Sequence, residues 1–597
     1  MISRLIQAVR RLKRTFHVSL REQEDMPVLD MSTAYLPASA GAVQQHLDSF
    51  EDVASMQPAF RTLKVDWCGS TSAVTACVAE LEGPRYVVFV KAREMDSDIF
   101  RAVEQRAIEA AKGPVQVFTI NPVILLTLVR ERMQAQDVIQ RSTRIRGQKE
   151  KSAVRQGFYD IVSWAARNEA SDLHLNVDTT AATSRISATI DGQYTTPEEL
   201  SMPTQQLVDM ASVTWLDVSG GNGMFLDMAN EQQGRLYEVV DGRGYMLRWG
   251  SFIADKGPSI TLRLLDVESK VQKVDLAELG YLPSQITQLE RALRSMGGAI
   301  VIGGIPGSGK TVSIAQLILR LPKARKIMSI EDPVELIIDN VLQASVSRSL
   351  DGSDRSTMKA KLMALKRSAA SDIFLGEVRD LLTGEAFQDI VNSGSNFYGT
   401  THVGRALAIP QRFSSGEIGI PRSMLGTPGV LKLLGHQSLM PKLCSCALPV
   451  DALLEGAEDR MGVKRDRGAW QQYLADIEAL YDFGTEPIRV RNPEGCQHCR
   501  KKGIPELFGY AGRTAVAELF EPSNDPDALR AIVSGNEILL RQIFAGHRTA
   551  RYDAPDMEGK STMECAVYKM SKGMIDPRDI EPHFTAFETL LRQRKRG

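Results

Sequence analysis

No apolar run in the chain reaches the roughly 18 residues that a bilayer-crossing helix needs, so an integral membrane protein is not expected. The first residues also hold no secretory-type apolar segment. Cysteine is scarce. Seven in 597 residues do not make a disulfide framework, and the odd number argues for reducing surroundings, so a cytoplasmic location is expected. Neither sign of charge dominates, with 72 Lys and Arg against 73 Asp and Glu, so no general pull toward nucleic acid or an anionic surface follows. Aromatic residues are only 6%, which disfavours a strand-stacking nucleic-acid binder. Internal repeats and low-complexity tracts are absent as well.

The chain is too long for one core, and its length suggests roughly three or four domains. Met1 to Phe16 carries Arg4, Arg10, Arg11, Lys13 and Arg14 without an acid, and its apolar residues fall near one helical face. Such a helix lies on an anionic membrane, docks on a partner, or packs on its own domain with a solvated basic side. Residues 1–140 mix strand-like runs (Tyr86 to Lys91, Val115 to Ile120) with helical ones (Asp98 to Ala111, Pro122 to Ala135) and hold no catalytic constellation. A charged linker follows at 141–157. Residues 158–272 then give a series of β-type segments separated by turn signals such as Asp191-Gly192 and Asp241-Gly242, which predicts a mainly β, α+β domain. Apolar strands alternate with helices from 273 onward, as in a parallel, doubly wound α/β domain.

That last region opens with the most informative motif of the chain. Gly304-Ile305-Pro306-Gly307-Ser308-Gly309-Lys310-Thr311 fits G-x-x-x-x-G-K-[ST]. It follows the apolar run Gly298 to Gly303 and precedes the helical spacing of Val312 to Leu321. Strand, glycine loop and helix are what phosphate binding requires. Successive N–H groups and the helix N-terminus face the phosphates, Lys310 reaches the β/γ oxygens, and the Thr311 hydroxyl ligates Mg²⁺.

Phosphoryl transfer further needs a carboxylate, a γ-phosphate sensor and neutralising cations. Arg325 to Ile330 is a strand-like run ending at Glu331-Asp332-Pro333-Val334-Glu335. Ser371 to Leu375 leads into Gly376-Glu377-Val378-Arg379-Asp380, in the form of a Walker B element. Phe397 to Thr401 ends at His402. Strand ends carry solvated acids commonly, so it is the order of the four elements that has weight.

In that order they resemble the Walker A, Asp box, Walker B and His box of the secretion ATPase superfamily, which powers type II secretion, type IV pilus assembly and parts of type IV secretion. Ala170-Ser171-Asp172-Leu173-His174 resembles the family's Ala-Ser-Asp-Ile-His signature. Gly234-Arg235, Leu247-Arg248 and Leu262-Arg263 stand where members carry arginines. The likeness covers about residues 150 to 520, and Thr401-His402-Val403 departs from the usual Leu-His-Thr. It implies an α/β fold with a P-loop, RecA-like parallel-sheet motor at 273–597. A flexible PAS-like α+β domain at 158–272 and a divergent N-terminal α+β domain precede it.

The resemblance also implies site roles. Gly304, Gly307, Ser308, Gly309, Lys310 and Thr311 bind ATP, with Thr311 and Glu377 on Mg²⁺. Glu331 polarises the attacking water, and His402 contacts the γ-phosphate region. Arg235, Arg248 and Arg263 reach the nucleotide from the flexible domain or a neighbouring subunit. Asp172 and His174 have no evident catalytic task, and a hydrogen-bonded strand–helix junction is expected for them.

Cys444-Ser445-Cys446 and Cys496-Gln497-His498-Cys499 give two thiol pairs within 440–515. Four thiolates suit Zn²⁺, with His498 as an alternative ligand; reduced structural cysteines are the other reading. Paired cysteines followed by Gly509-Tyr510-Ala511-Gly512-Arg513 resemble the assembly and secretion members. The implied protein is a homo-hexameric ATPase, cytoplasmic and peripheral to the inner membrane. It would act on an inner-membrane platform protein, with its N-terminal region on an adaptor or membrane surface. A nucleic-acid translocase or conjugative motor with the same phosphate chemistry is the alternative, although no specific nucleic acid is expected from the charge balance.

Overall fold

The computed structural model describes residues 43–68, 70–83, 85–130, 132–139, 152–346 and 355–595. The basic segment Met1 to Phe16, most of the charged linker and Arg596 lie outside the described residues. The chain forms two compact units, Met1–Val138 and Ile139–Gly597.

The first unit is built on β1 (Val43–Leu47), β2 (Phe60–Leu63), β3 (Ala76–Leu81), β4 (Arg85–Val90) and β5 (Gln116–Ile120), ordered β1-β5-β4-β3-β2. β5 runs parallel to both neighbours, while β2, β3 and β4 pair antiparallel. Helix α1 (Asp98–Ala111) starts where the Ser97 hydroxyl accepts from the Phe100 N–H. It turns Phe100, Val103 and Ala107 inward at helical spacing.

The second unit begins with helix α2 (Ser152–Arg167) and an antiparallel sheet. Its strands are β6 (Ala170–Asn176), β7 (Thr183–Ile190), β8 (Gln193–Thr195), β9 (Gln233–Val240), β10 (Arg243–Ala254) and β11 (Gly257–Asp266). They are ordered β9-β10-β11-β6-β7-β8. The Asp-Gly pairs make the hairpin turns. Asp191 and Gly192 have φ of 50° and 78°, as do Asp241 and Gly242, the left-handed pair that a tight hairpin with native twist demands. Asp172 and His174 lie in the middle of β6, not at a strand–helix junction. The His174 ring bonds the hydroxyls of Thr189 and Thr261 on the strands to either side. It is a cross-strand fastener.

The motor sheet consists of β12 (Gly298–Gly303), β13 (Ile327–Glu331), β14 (Val341–Ser345), β15 (Asp372–Leu375), β16 (Asn396–Thr401), β17 (Leu431–Leu443) and β18 (Tyr510–Phe520). Its order is β14-β13-β15-β16-β12-β17-β18. Every pairing is parallel except β17 with β18. Both faces of the central strand β12 are covered, which is why it reads as an unbroken apolar run. Ala299 and Val301 of β12 pack on one side with Phe387, Phe397 and Leu434. Ile300 and Ile302 pack on the other with Ile314 and Leu317 of helix α3 (Lys310–Ile318), which begins within the glycine loop. β12 has partners on both edges, so its C-terminal end is the middle of the ligand-binding edge of the sheet.

Two strands of this sheet, β17 and β18, flank the segment that carries the cysteine pairs. The cysteine segment is the excursion between them, and it does not stand apart. Ile504 and Leu507 are buried in the core of the β6–β11 sheet, beside Leu173, Ile190 and Leu262. Outside that core, Lys502 Nζ lies 2.9 Å from Glu169 and 3.6 Å from Asp191.

Candidate active site

The glycine loop leaves β12 and enters α3 at Lys310, so its last N–H groups stand at a helix N-terminus. Two of its glycines are imposed by the neighbouring strand. Gly304 has φ of 153°, and a Cβ there would lie 2.4 Å from the Gln437 carbonyl oxygen. Gly309 has φ of 81°, and its Cβ would lie 2.9 Å from Gln437 Nε2. Lys310 is only 7% exposed and donates to the carbonyls of Gly304 and Ile305 at 2.9 and 2.8 Å. Burial brings its ammonium down to about 8 against the pull of Glu377 and Glu335. Ser308 Oγ is buried and has no hydrogen-bond partner among the described residues.

Around this loop the structure gathers a cleft of about 300 Å³. Lys310, Thr311, Glu331, Glu377 and His402 line it, as do Arg248 and Arg263 from the preceding sheet. Glu331 ends β13 and is 4% exposed. It accepts from the Ser329 hydroxyl at 2.5 Å and from Gln343 Nε2 at 3.0 Å. Burial outweighs these bonds and pushes its carboxyl up to about 7. Glu377 follows β15 and faces two cations or potential cations. Arg379 approaches one oxygen at 3.3 Å and His402 Nε2 the other at 3.3 Å. The other nitrogen of His402, Nδ1, lies 3.0 Å from the Gly304 carbonyl oxygen. His402 thus bridges the Walker B carboxylate and the phosphate loop.

The three arginines form one row. Arg235 is directly opposite Arg248, Arg248 opposite Arg263, and Arg263 opposite Asp172, on β9, β10, β11 and β6 in turn. Opposed residues of antiparallel strands share a face, and adjacent like charges there repel. Asp172 relieves one end of the row, accepting from Arg263 Nε at 2.9 Å. Arg248 and Arg263 enter the cleft, whereas Arg235 lines a neighbouring recess beside Asp332 and Pro333 and does not join them.

Glu335 and Arg379 stand inside the motifs, and their tasks become visible only in the fold. Half-buried Glu335 faces Arg263, Arg248 and Lys310, whose charges oppose the upward push of burial on its carboxyl. Arg379 donates to Asp332 at 2.8 Å as well as approaching Glu377, so it ties the Asp box to the Walker B segment. Gln437 has no signal in any motif.

The four cysteines converge. Their sulfurs all lie within 4.8 Å of one another, with Cys444–Cys496 at 3.7 Å and both Cys446–Cys499 and Cys496–Cys499 at 3.8 Å. A tetrahedron of four Zn–S bonds of about 2.3 Å has edges of about 3.8 Å. Backbone N–H groups of Cys496 and Gly509 point at Cys499 Sγ, at 3.1 and 3.2 Å. The C-x-C spacing therefore reaches the geometry, and His498 stands exposed outside the four.

Residues 147–566 match a family described as type II/IV secretion system protein. The type II secretion system protein E of Dickeya dadantii (strain 3937) is 29% identical over 366 residues, covering 60% of this chain and 64% of that relative. The type II secretion system ATPase E of Vibrio cholerae is 26% identical over 402 residues, 66% of this chain and 70% of that protein. Among solved structures, the Legionella pneumophila ATPase DotB is similar over 72% of this chain and 93% of its own, at 16% identity and a TM-score of 0.44. No helix among the described residues is long and apolar enough to cross a membrane.

Proposed function

The chain belongs to the type II/IV secretion system protein family, and from that membership we propose that it is an ATP-hydrolysing motor for secretion or type IV pilus assembly. One observation carries the reading. The phosphate loop, two strand-end carboxylates, His402 and two arginines from a second sheet line a single cleft. In the mechanism we propose, the N–H groups of the loop and Lys310 hold the phosphates. Glu331, buried with a raised proton affinity, takes the proton of the attacking water. Arg248 and Arg263 neutralise charge as it develops, and such cations contribute several powers of ten in rate elsewhere, about 10³ to 10⁵. His402 feels the γ-phosphate position through its contacts to Glu377 and the loop.

The hydroxyl of Thr311 and the carboxylate of Glu377 are hard oxygen donors beside the loop, a set that suits Mg²⁺. These two residues would hold Mg²⁺, which would supply positive charge to offset that of the phosphates. Zn²⁺ fits the four sulfurs, where its task would be structural. We read the motor sheet as RecA-like and the β6–β11 domain as PAS-like. The working form is a homo-hexamer on the cytoplasmic face of an inner membrane, acting on a platform protein, with the N-terminal unit toward an adaptor or the membrane.

ATP turnover tests the reading. The wild type should hydrolyse ATP, Lys310→Ala should lose nucleotide binding, and Glu377→Gln should bind while turning over at least about 100-fold more slowly. Wild-type turnover in Glu377→Gln would sink the assignment. A steep salt-dependent affinity for single-stranded DNA would instead favour a translocase.

A further inference from the structure

One side chain that no motif contains is closely fitted to the phosphate loop. Gln437 lies on β17, one residue beyond the position paired with Gly303 at the end of β12. It is 2% exposed. Both ends of its amide are engaged. Nε2 donates to the Ser308 carbonyl at 2.7 Å. Oε1 accepts from the Ser313 hydroxyl of α3 at 2.7 Å and from the Tyr281 hydroxyl, which comes from the turn before the helix Pro283–Arg294. A buried amide is costly unless paired, and this one is paired on both sides. The Ser308 carbonyl can only accept, so the N–H end of the amide is the one turned to the loop and Oε1 is left to accept from the two hydroxyls.

The geometry of the peptide unit gives that bond its consequence. The Ser308 carbonyl and the Gly309 N–H belong to one planar trans unit and point in opposite directions. Holding the carbonyl toward β17 therefore turns the Gly309 N–H away from β17, to the side where phosphates are received. The absence of a Cβ at Gly304 and Gly309 is what lets the strand come so close.

We infer that Gln437 is a positioning residue for nucleotide binding, gripping the Ser308 carbonyl so that the phosphate loop keeps its N–H groups turned to the phosphates. Tyr281 and Ser313 act through it by holding the amide. The loop grips phosphate in ground and transition states alike, so the loss should appear in binding more than in the chemical step. This inference rests on the loop being the ATP site.

The test uses the full chain, with steady-state ATP hydrolysis and titration of a fluorescent ATP analogue. Gln437→Met, which keeps the shape and loses both hydrogen-bonding ends, should raise KM and the analogue Kd by about tenfold while kcat stays within about threefold. Gln437→Glu still accepts from Tyr281 and Ser313 but donates nothing to Ser308, and should weaken binding as much. Tyr281→Phe should shift KM and Kd the same way by roughly threefold. A merely structural role would shrink the active fraction, lowering kcat at constant KM, and that result overturns the inference, as does unchanged Kd in all three. If neither Gln437 variant folds, Tyr281→Phe decides by the same criterion. A wild type that neither binds the analogue nor hydrolyses ATP sinks the proposed function itself, and this inference with it.

Discussion

Arg263 donates from Nε to Asp172 at 2.9 Å, and the two stand directly opposite each other on β11 and β6. The pair holds an arginine of the cleft by a carboxylate that is itself outside it. Asp172→Ala should lower ATP turnover about five- to tenfold by freeing Arg263. Asp172 is buried while the arginine is partly exposed, so the stability cost should be about 1 to 2 kcal/mol. Turnover and thermal melting of Asp172→Ala, Arg263→Ala and the double variant check this. A double variant much slower than Arg263→Ala would show that Asp172 acts elsewhere.

The pH dependence of kcat/KM should be bell-shaped and narrow. Glu331 is held above its ordinary range, at about 7, so its basic form is lost as pH falls through that value. Lys310 is held below its ordinary range, at about 8, so its charge is lost as pH rises through that value. The optimum should therefore lie between about 7 and 8 in the free enzyme, with one-proton limbs on either side. Initial rates at low ATP across this range measure it, and a flat profile would count against both assignments.

The sulfur cluster makes a compositional prediction. Elemental analysis of the reduced protein should find one zinc per chain, and Cys496→Ser should remove it. Structural zinc contributes directly to folding, so metal loss should lower the melting temperature by several degrees and loosen the packing of Ile504 and Leu507. Differential scanning fluorimetry with and without a chelator reads the first effect, and hydrogen exchange at 496–509 reads the second. A metal-free wild type with the same melting temperature would leave the cysteines as plain thiols.

The cleft was legible where chemistry is written locally. The loop needs glycine at fixed offsets, and the carboxylates need strand ends, so Gly304 to Thr311, Glu331, Glu377 and His402 could be found from spacing and order. The arginine row was legible only by resemblance, because its logic is register. Residues 235, 248 and 263 become neighbours through antiparallel pairing that no spacing announces. Gln437 was beyond reach for a related reason. Its task is defined by what β17 lies beside, and β17 itself sits in a stretch whose strand character is set by burial between two faces. The cysteine spacing left zinc ligands and plain thiols both open, and it is the fold that brings the four sulfurs together.

The packing of Ile504 and Leu507 has a practical meaning for dissecting the molecule. The antiparallel sheet completes its apolar core with two residues that arrive more than two hundred positions after its last strand. A fragment cut after Asp266 would present an unfilled apolar surface to water and should aggregate or soften. The piece that can be isolated is the one that keeps residues 152–595 together, because the stretch that looks like an insertion in the second half serves as the missing wall of the first.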